Sequence, residues 1–253
     1  MIFLRGALSS RGLGESQTTM AGGNSTPSSS QFFNKEMAES YDERNSRLSP
    51  IGDNMHFLIR LVLADLPDNA RILCIGVGTG AEILALAEAY PGWTFVGVDP
   101  SAEMLEVCQG RLENAGILDR CDLVHGYVED APDGPGFDAV LGILVAHFVH
   151  RKERAGFYDN IHRRLKPGGL LVSTEICFDL NSAEFPAMLK NWARIQTQSG
   201  ASRESLNTLE EMLCNTLSVL SPDDTTALLK ASGFDLPVEF FQAFMIRGFS
   251  AAK

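Results

Sequence analysis

The chain has 253 residues, 45% of them hydrophobic and 21% charged, which is enough for one sizeable core, and no apolar run approaches the ~18 residues of a membrane-spanning helix. It carries 21 Lys and Arg against 32 Asp and Glu, net −11, which disfavours a nucleic-acid partner, because such binding leans on phosphate neutralisation, and favours a small-molecule one. Its five cysteines (Cys74, Cys108, Cys121, Cys177 and Cys214) are scattered, odd in number and without a CxxC pair, so no disulfide framework or cysteine zinc site is expected and the compartment reads as reducing, hence cytoplasmic.

Residues 1–30 are rich in Ser, Gly and Thr and cannot bury enough apolar surface to offset chain entropy, so a disordered tail is expected. The tail carries Arg5, Arg11 and Glu15, net +1, which leaves −12 on the remainder. From Phe32 to Leu66 the chain reads as helices with a break at Ser49–Gly52, and Ile59, Val62, Leu63 and Leu66 recur at helical spacing. Leu66-Pro67-Asp68-Asn69 ends that helix.

Short apolar runs then alternate with amphipathic segments. Strands are expected at Ile72–Ile75, Thr94–Val98, Asp122–His125, Phe137–Leu144 and Leu170–Ile176. Helices are expected at Ala81–Tyr90, from the Ser101 cap to about Ala115, and over Arg151–Leu165. Strands without polar alternation, each followed by a helix, predict an α/β protein with a parallel sheet covered on both faces. Between Phe178 and Leu220 a helical insertion is expected. Its stripes are Met188, Leu189, Trp192 and Ile195, then Leu206, Leu209, Leu213 and Leu217. Such stripes form core, and this position also suits a lid or a dimer contact. Ser221-Pro222 starts a helix that stops at Ser232-Gly233. Val238–Ala243 and Met245–Ala252 follow as strands whose short connection forces an antiparallel hairpin.

The central motif is Ile75-Gly76-Val77-Gly78-Thr79-Gly80, between a strand and a helix. Glycines there allow a tight turn and let a ligand approach bare amides at a helix N-terminus. Asp99 closes the second strand, where a carboxylate can accept both hydroxyls of a ribose. Strand, glycine turn, helix, strand and acid form a nucleoside-binding constellation, and Gly76-x-Gly78-x-x-Ala81 also satisfies the dinucleotide pattern.

Phe137–Leu141, Leu165-Lys166-Pro167-Gly168-Gly169-Leu170 and the terminal hairpin separate these options. With the glycine turn they resemble the class I S-adenosylmethionine-dependent methyltransferases over roughly Phe32 to Lys253. The resemblance implies one domain over 31–253 with a Rossmann-like, mostly parallel seven-stranded sheet of order 3-2-1-4-5-7-6, the last strand antiparallel. It implies S-adenosyl-L-methionine as cofactor and methyl transfer to a small acceptor, in a monomer or homodimer. By the same resemblance Gly76, Val77 and Gly78 lie against the methionyl and ribose parts, and Asp99 binds the ribose. Pro100 and Met104 sit beside adenine, Tyr127 and Val128 contact its edge and face, and Ile143 to His147 face the transferable methyl. Three positions depart from the family pattern: Cys74 where an acid is usual, Tyr127 where Asp is usual, and Ile143 where a polar residue is common.

The layout is also similar to the carboxy-S-adenosylmethionine synthases of tRNA wobble-uridine modification. Phe33-Asn34-Lys35-Glu36, Ala231–Phe234 and Phe241–Phe244 carry that likeness. Their carboxylate-binding arginine falls at Glu210, their entry-loop tyrosine near Gly52-Asp53 and their asparagine at Ile143, with Arg203 the nearest substitute cation. This activity, or non-catalytic cofactor binding, is the alternative. His147, at the end of the fourth strand, is the candidate catalytic base. His150 is three residues on, but no third ligand is evident and no metal is expected. Glu175 is a candidate for holding an acceptor amine, and Phe33 and Tyr41 for covering the cofactor.

Overall fold

A computed structural model describes residues 46–253. The expected tail, Phe33, Tyr41 and the first part of the entry helices lie outside those residues. The chain runs α1 (Ser49–Val62), β1 (Arg71–Ile75), α2 (Ala81–Ala89), β2 (Thr94–Asp99), α3 (Ala102–Asn114), β3 (Cys121–His125), β4 (Phe137–Ile143), α4 (Arg154–Arg164) and β5 (Leu165–Ile176). There follow α5 (Phe185–Gln198), α6 (Arg203–Asn207), α7 (Leu209–Glu211), a π turn at Met212–Thr216, α8 (Pro222–Ala231), β6 (Asp235–Ala243) and β7 (Ile246–Ala252).

The seven strands form one sheet of order β3-β2-β1-β4-β5-β7-β6, as the resemblance implies. β1, β2, β3, β4 and β5 pair in parallel, and β7 runs antiparallel to both β5 and β6. Period-two alternation sends neighbouring strand residues to opposite faces. Ile72 and Cys74 of β1 join the core beneath α1, α2, α3 and the insertion, whereas Leu73 and Ile75 join the core beneath α4 and α8. Both faces are therefore buried, which is why the strands read as continuous apolar runs.

Local chemistry sets the helix starts. Ser101 Oγ accepts from Met104 N at 3.2 Å, and Ser221 Oγ accepts from Asp224 N at 3.0 Å with Pro222 behind it. These bonds satisfy amides that the first turn leaves without partners. The break expected at Ser49-Pro50 is a helix start, because proline lacks the amide that a helix interior needs.

Strand β5 begins at Leu165, five residues earlier than expected. Lys166–Gly169 form a bulged extension of it, with Gly168 at φ +76° and Gly168 N donating to Lys253 O at 3.1 Å. The terminal hairpin thus clamps a glycine pair that reads as a loop in sequence. The insertion leaves and returns at one point, where Phe178 N donates to Leu220 O at 2.9 Å. Phe185, Trp192, Ile195, Leu209, Leu213 and Leu217 from it are buried in the first core. Among the described residues no helix is long and apolar enough to cross a membrane.

Candidate functional site

The sheet order reverses between β1 and β4, so the carboxyl ends of these neighbours open a crevice where ligands bind in such folds. The glycine turn fills its floor. Gly76 N and Val77 N both donate to Val98 O, at 2.7 and 3.1 Å, which fixes the turn to β2. Gly76 sits at φ +63°, and a Cβ there would collide with Cγ2 of Val145. Gly80 sits at φ +78°, and a Cβ there would lie 2.7 Å from Cys108 Sγ. The turn is therefore glycine for backbone conformation and for space.

Asp99 closes the turn from β2. Gly78 N donates to its Oδ2 at 2.8 Å and Ser101 N to its Oδ1 at 2.9 Å. The side chain is 7% exposed; burial raises its pKa, and the Ser101 and Gly78 amides work against that shift. Each oxygen accepts one amide and keeps a second lone pair for a hydroxyl.

A cavity of about 260 Å³ lies beside the turn. Gly76, Val77, Gly78 and Thr79 line one side, Ile143 and Leu144 from the end of β4 another, and Gly52, Asp53 and His56 of α1 a third. Gly76, Val77, Gly78 and Ile143 are thus brought together as expected, with Asp99 bonded to Gly78. The other four expected cofactor residues do not line this cavity. Pro100 follows β2, Met104 lies in the first turn of α3, and Tyr127 and Val128 follow β3, where Gly126 N donates to Asp99 O at 3.0 Å. Tyr127 follows it with a ring 48% exposed, Pro100 is half-buried, and Met104 and Val128 are buried. Tyr127 N donates to Asp130 Oδ2 at 2.8 Å, which holds this segment in place.

Two side chains of the cavity wall, Glu82 and Arg111, are absent from the sequence-based set. Glu82 is 6% exposed, and burial pushes its carboxyl up to about 8. It stands four residues before Leu86 on α2 and so falls on that helix's buried stripe; this spacing is the signal that could have found it. Arg111 Nη1 donates to Thr79 O at 3.0 Å and to Thr79 Oγ1 at 2.9 Å. Met104, Cys108 and Arg111 share one face of α3 at helical spacing.

His147 and Glu175 do other work than expected. His147 is fully buried and does not line the cavity. Ile176 N donates to its Nδ1 at 3.2 Å, so the ring proton sits on Nε2, which has no partner among the described residues. Burial, and then the charge of Arg154, lower its pKa well below the usual range. With its lone pair used by a backbone amide, the ring ties the segment after β4 to β5 rather than meeting an acceptor. Glu175 is likewise fully buried and points away from the crevice. It accepts from Arg154 Nη1 at 2.8 Å and from Tyr158 Oη at 3.1 Å. It is half of an internal ion pair, a correction to its reading as an amine holder. His150 is exposed, with Nδ1 accepting from Lys152 N at 3.3 Å.

Residues 72–169 match the family model described as a methyltransferase domain. The carboxy-S-adenosyl-L-methionine synthase of Campylobacter lari is 24% identical over 90% of this chain and 97% of its own length. That of Methylococcus capsulatus is 27% identical over 87% of this chain and 93% of its own. Among solved structures, phosphoethanolamine N-methyltransferase 2 of Haemonchus contortus superposes with a TM-score of 0.65 at 17% identity, and an O-methyltransferase family protein of Burkholderia thailandensis with 0.60 at 13%. The chain covers 58% and 59% of those two proteins' lengths, and these likenesses speak for the fold. The sheet order, the glycine turn closed by Asp99 and the methyltransferase-domain match over residues 72–169 make the chain similar to the class I S-adenosylmethionine-dependent methyltransferases.

Proposed function

We propose that the protein binds S-adenosyl-L-methionine across the β1/β4 crevice and transfers its methyl group to a small-molecule acceptor. The observation that carries this reading is the Gly76–Gly78 turn, bonded to Asp99 through Gly78 N and lining a cavity of about 260 Å³ with bare backbone. Asp99 receives the ribose hydroxyls on its free lone pairs. The exposed ring of Tyr127 stacks on the adenine, and Ile143 and Leu144 face the reacting carbon. A sulfonium supplies an electrophilic methyl, displaced in line by an acceptor lone pair while the bonding electrons return to sulfur.

Positioning and exclusion of water supply most of the acceleration. Where the acceptor must lose a proton, His56 is the imidazole that lines the cavity. Burial lowers its pKa, against a smaller opposing effect of Asp53, so it is neutral near pH 7 and able to take that proton. Calorimetric titration with S-adenosyl-L-methionine tests the reading; no heat at high micromolar ligand overturns it.

Carboxy-S-adenosylmethionine synthesis is the second reading, favoured by the near full-length relatives. A carboxylated ligand needs a cation, since an unpaired buried charge is costly. Glu210 and Arg203 are exposed and do not line the cavity, whereas Arg111 does. The mass of the ligand that copurifies separates the two readings by the carboxyl group.

A further inference from the structure

Strand β1 offers no charged group to the crevice: its residue two places before the first glycine is Cys74, fully buried. The next acid along the chain that reaches the cavity is Glu82. The buried stripe of α2 turns it inward, onto the same wall as Gly76–Thr79. Its surroundings are specific. Cys74 of β1, Asp99 of β2, and Cys108 and Arg111 of α3 bear on it or are borne on by its charge, and Asp53 and His56 of α1 line the same cavity. The guanidinium of Arg111 is bonded to Thr79, and among the described residues no ion pair joins it to Glu82. Glu82 is therefore a carboxyl nine-tenths buried at the edge of a ligand-sized space, and its own backbone amide and the charge of Arg111 offset only part of the cost of burying its charge.

We infer that Glu82 receives the primary ammonium group at the amino-acid end of the nucleoside ligand, in place of the acid that β1 lacks at Cys74. The inference rests on the cofactor reading proposed above. The turn has an acid on each side: Asp99 bonds Gly78 from β2, and Glu82 lines the cavity from α2. A nucleoside that lays its ribose on Asp99 and its amino-acid end along Gly76–Thr79 meets Glu82 with the one strong cation it carries there. In the free protein the carboxyl is pushed up to about 8, so it holds its proton at neutral pH. As the ammonium docks, that proton leaves to solvent and a charge-assisted hydrogen bond forms; no other reactant is needed.

Two probes decide the matter: S-adenosylhomocysteine, which carries the ammonium, and methylthioadenosine, the same nucleoside without the amino-acid end. For Glu82→Gln, affinity for S-adenosylhomocysteine is expected to fall roughly tenfold to a hundredfold, as for a lost hydrogen bond to a charged group, while affinity for methylthioadenosine moves less than about twofold. In the unaltered protein, affinity for S-adenosylhomocysteine should rise by up to about tenfold per pH unit below the Glu82 titration, and in Glu82→Gln it should not. Equal losses for both probes, or a flat pH dependence in the unaltered protein, overturn the inference while leaving the cofactor reading intact. Failure of the unaltered protein to bind either probe overturns both. The pH measurement needs no variant, so it stands even if Glu82→Gln folds poorly.

Discussion

Replacing Arg154 by Met removes a fully buried cation while keeping most of its apolar bulk. Arg154 is 1% exposed. Its Nη1 donates to Glu175 Oε2 at 2.8 Å, its Nη2 to Ser218 O at 2.7 Å and its Nε to Val149 O at 3.2 Å. The variant leaves Glu175 fully buried with only the Tyr158 hydroxyl at 3.1 Å, and strips a donor from two carbonyls. Breaking one side of a buried pair costs about 3–5 kcal/mol, because the surviving charge has no counter-ion. The cost should appear as a lower urea midpoint at an unchanged slope, followed by far-ultraviolet circular dichroism and by the fluorescence of the buried Trp93 and Trp192. Glu175→Gln alone should also destabilise, since it strands the guanidinium. The double variant should then cost less than the two singles together, by about 1–3 kcal/mol of coupling. A loss below about 1 kcal/mol for Arg154→Met, or additivity within about 0.5 kcal/mol, would refute the view that the pair acts as one buried unit. The same guanidinium ties the end of the insertion to the segment after β4, so a looser variant should also bind nucleoside less tightly.

Three further outcomes are expected. Asp99→Ala removes the acceptor for Gly78 N and Ser101 N together with the ribose site, and should weaken S-adenosylhomocysteine at least about tenfold by calorimetry; unchanged affinity would remove Asp99 from the site. Gly76→Ala forces a side chain into a left-handed turn against Val145 and should cost about 1–3 kcal/mol in urea unfolding, while Gly52→Ala, where a Cβ meets nothing, stays within about 0.5 kcal/mol; similar costs would show that the turn tolerates a Cβ. Glu82 has a folded-state value of about 8 against an ordinary 4.5, so its contribution is intact below about 4.5 and is lost as pH rises toward 8. Glu82→Gln should therefore melt higher than the unaltered ligand-free protein at pH 8, by several degrees at about 2–4 °C per kcal/mol, with a smaller difference at pH 5; a gap independent of pH would contradict this.

Much of the architecture was legible in the chain because it rests on local chemistry. Apolar runs of strand length, serine caps before Met104 and Asp224, the Gly76–Gly80 turn and a hairpin joined by Phe244 and Met245 each follow from a few neighbouring residues. So does Asp99, whose place at the end of β2 is fixed by the length of that strand. The direction in which Glu175, His147, Glu82 and Arg111 point was decided only by the tertiary structure. A strand pattern gives two faces but not which partner covers each. β7 pairs along β5 up to Ile176, with Glu175 opposite Arg247, and α4 brings Arg154 and Tyr158 onto the Glu175 side chain. That closes the edge on which an acceptor site was expected. His147 turns inward because Ile176 N, 29 residues away, requires an acceptor. Glu82 and Arg111 become cavity residues because α2 and α3 converge on the glycine turn, through Cys108 behind Gly80 and through Thr79. The sequence alone determined the fold and the glycine turn with the acid that closes it. Which charges face the cavity and which are spent inside the core depends on contacts between segments far apart in the chain, which local patterns do not encode.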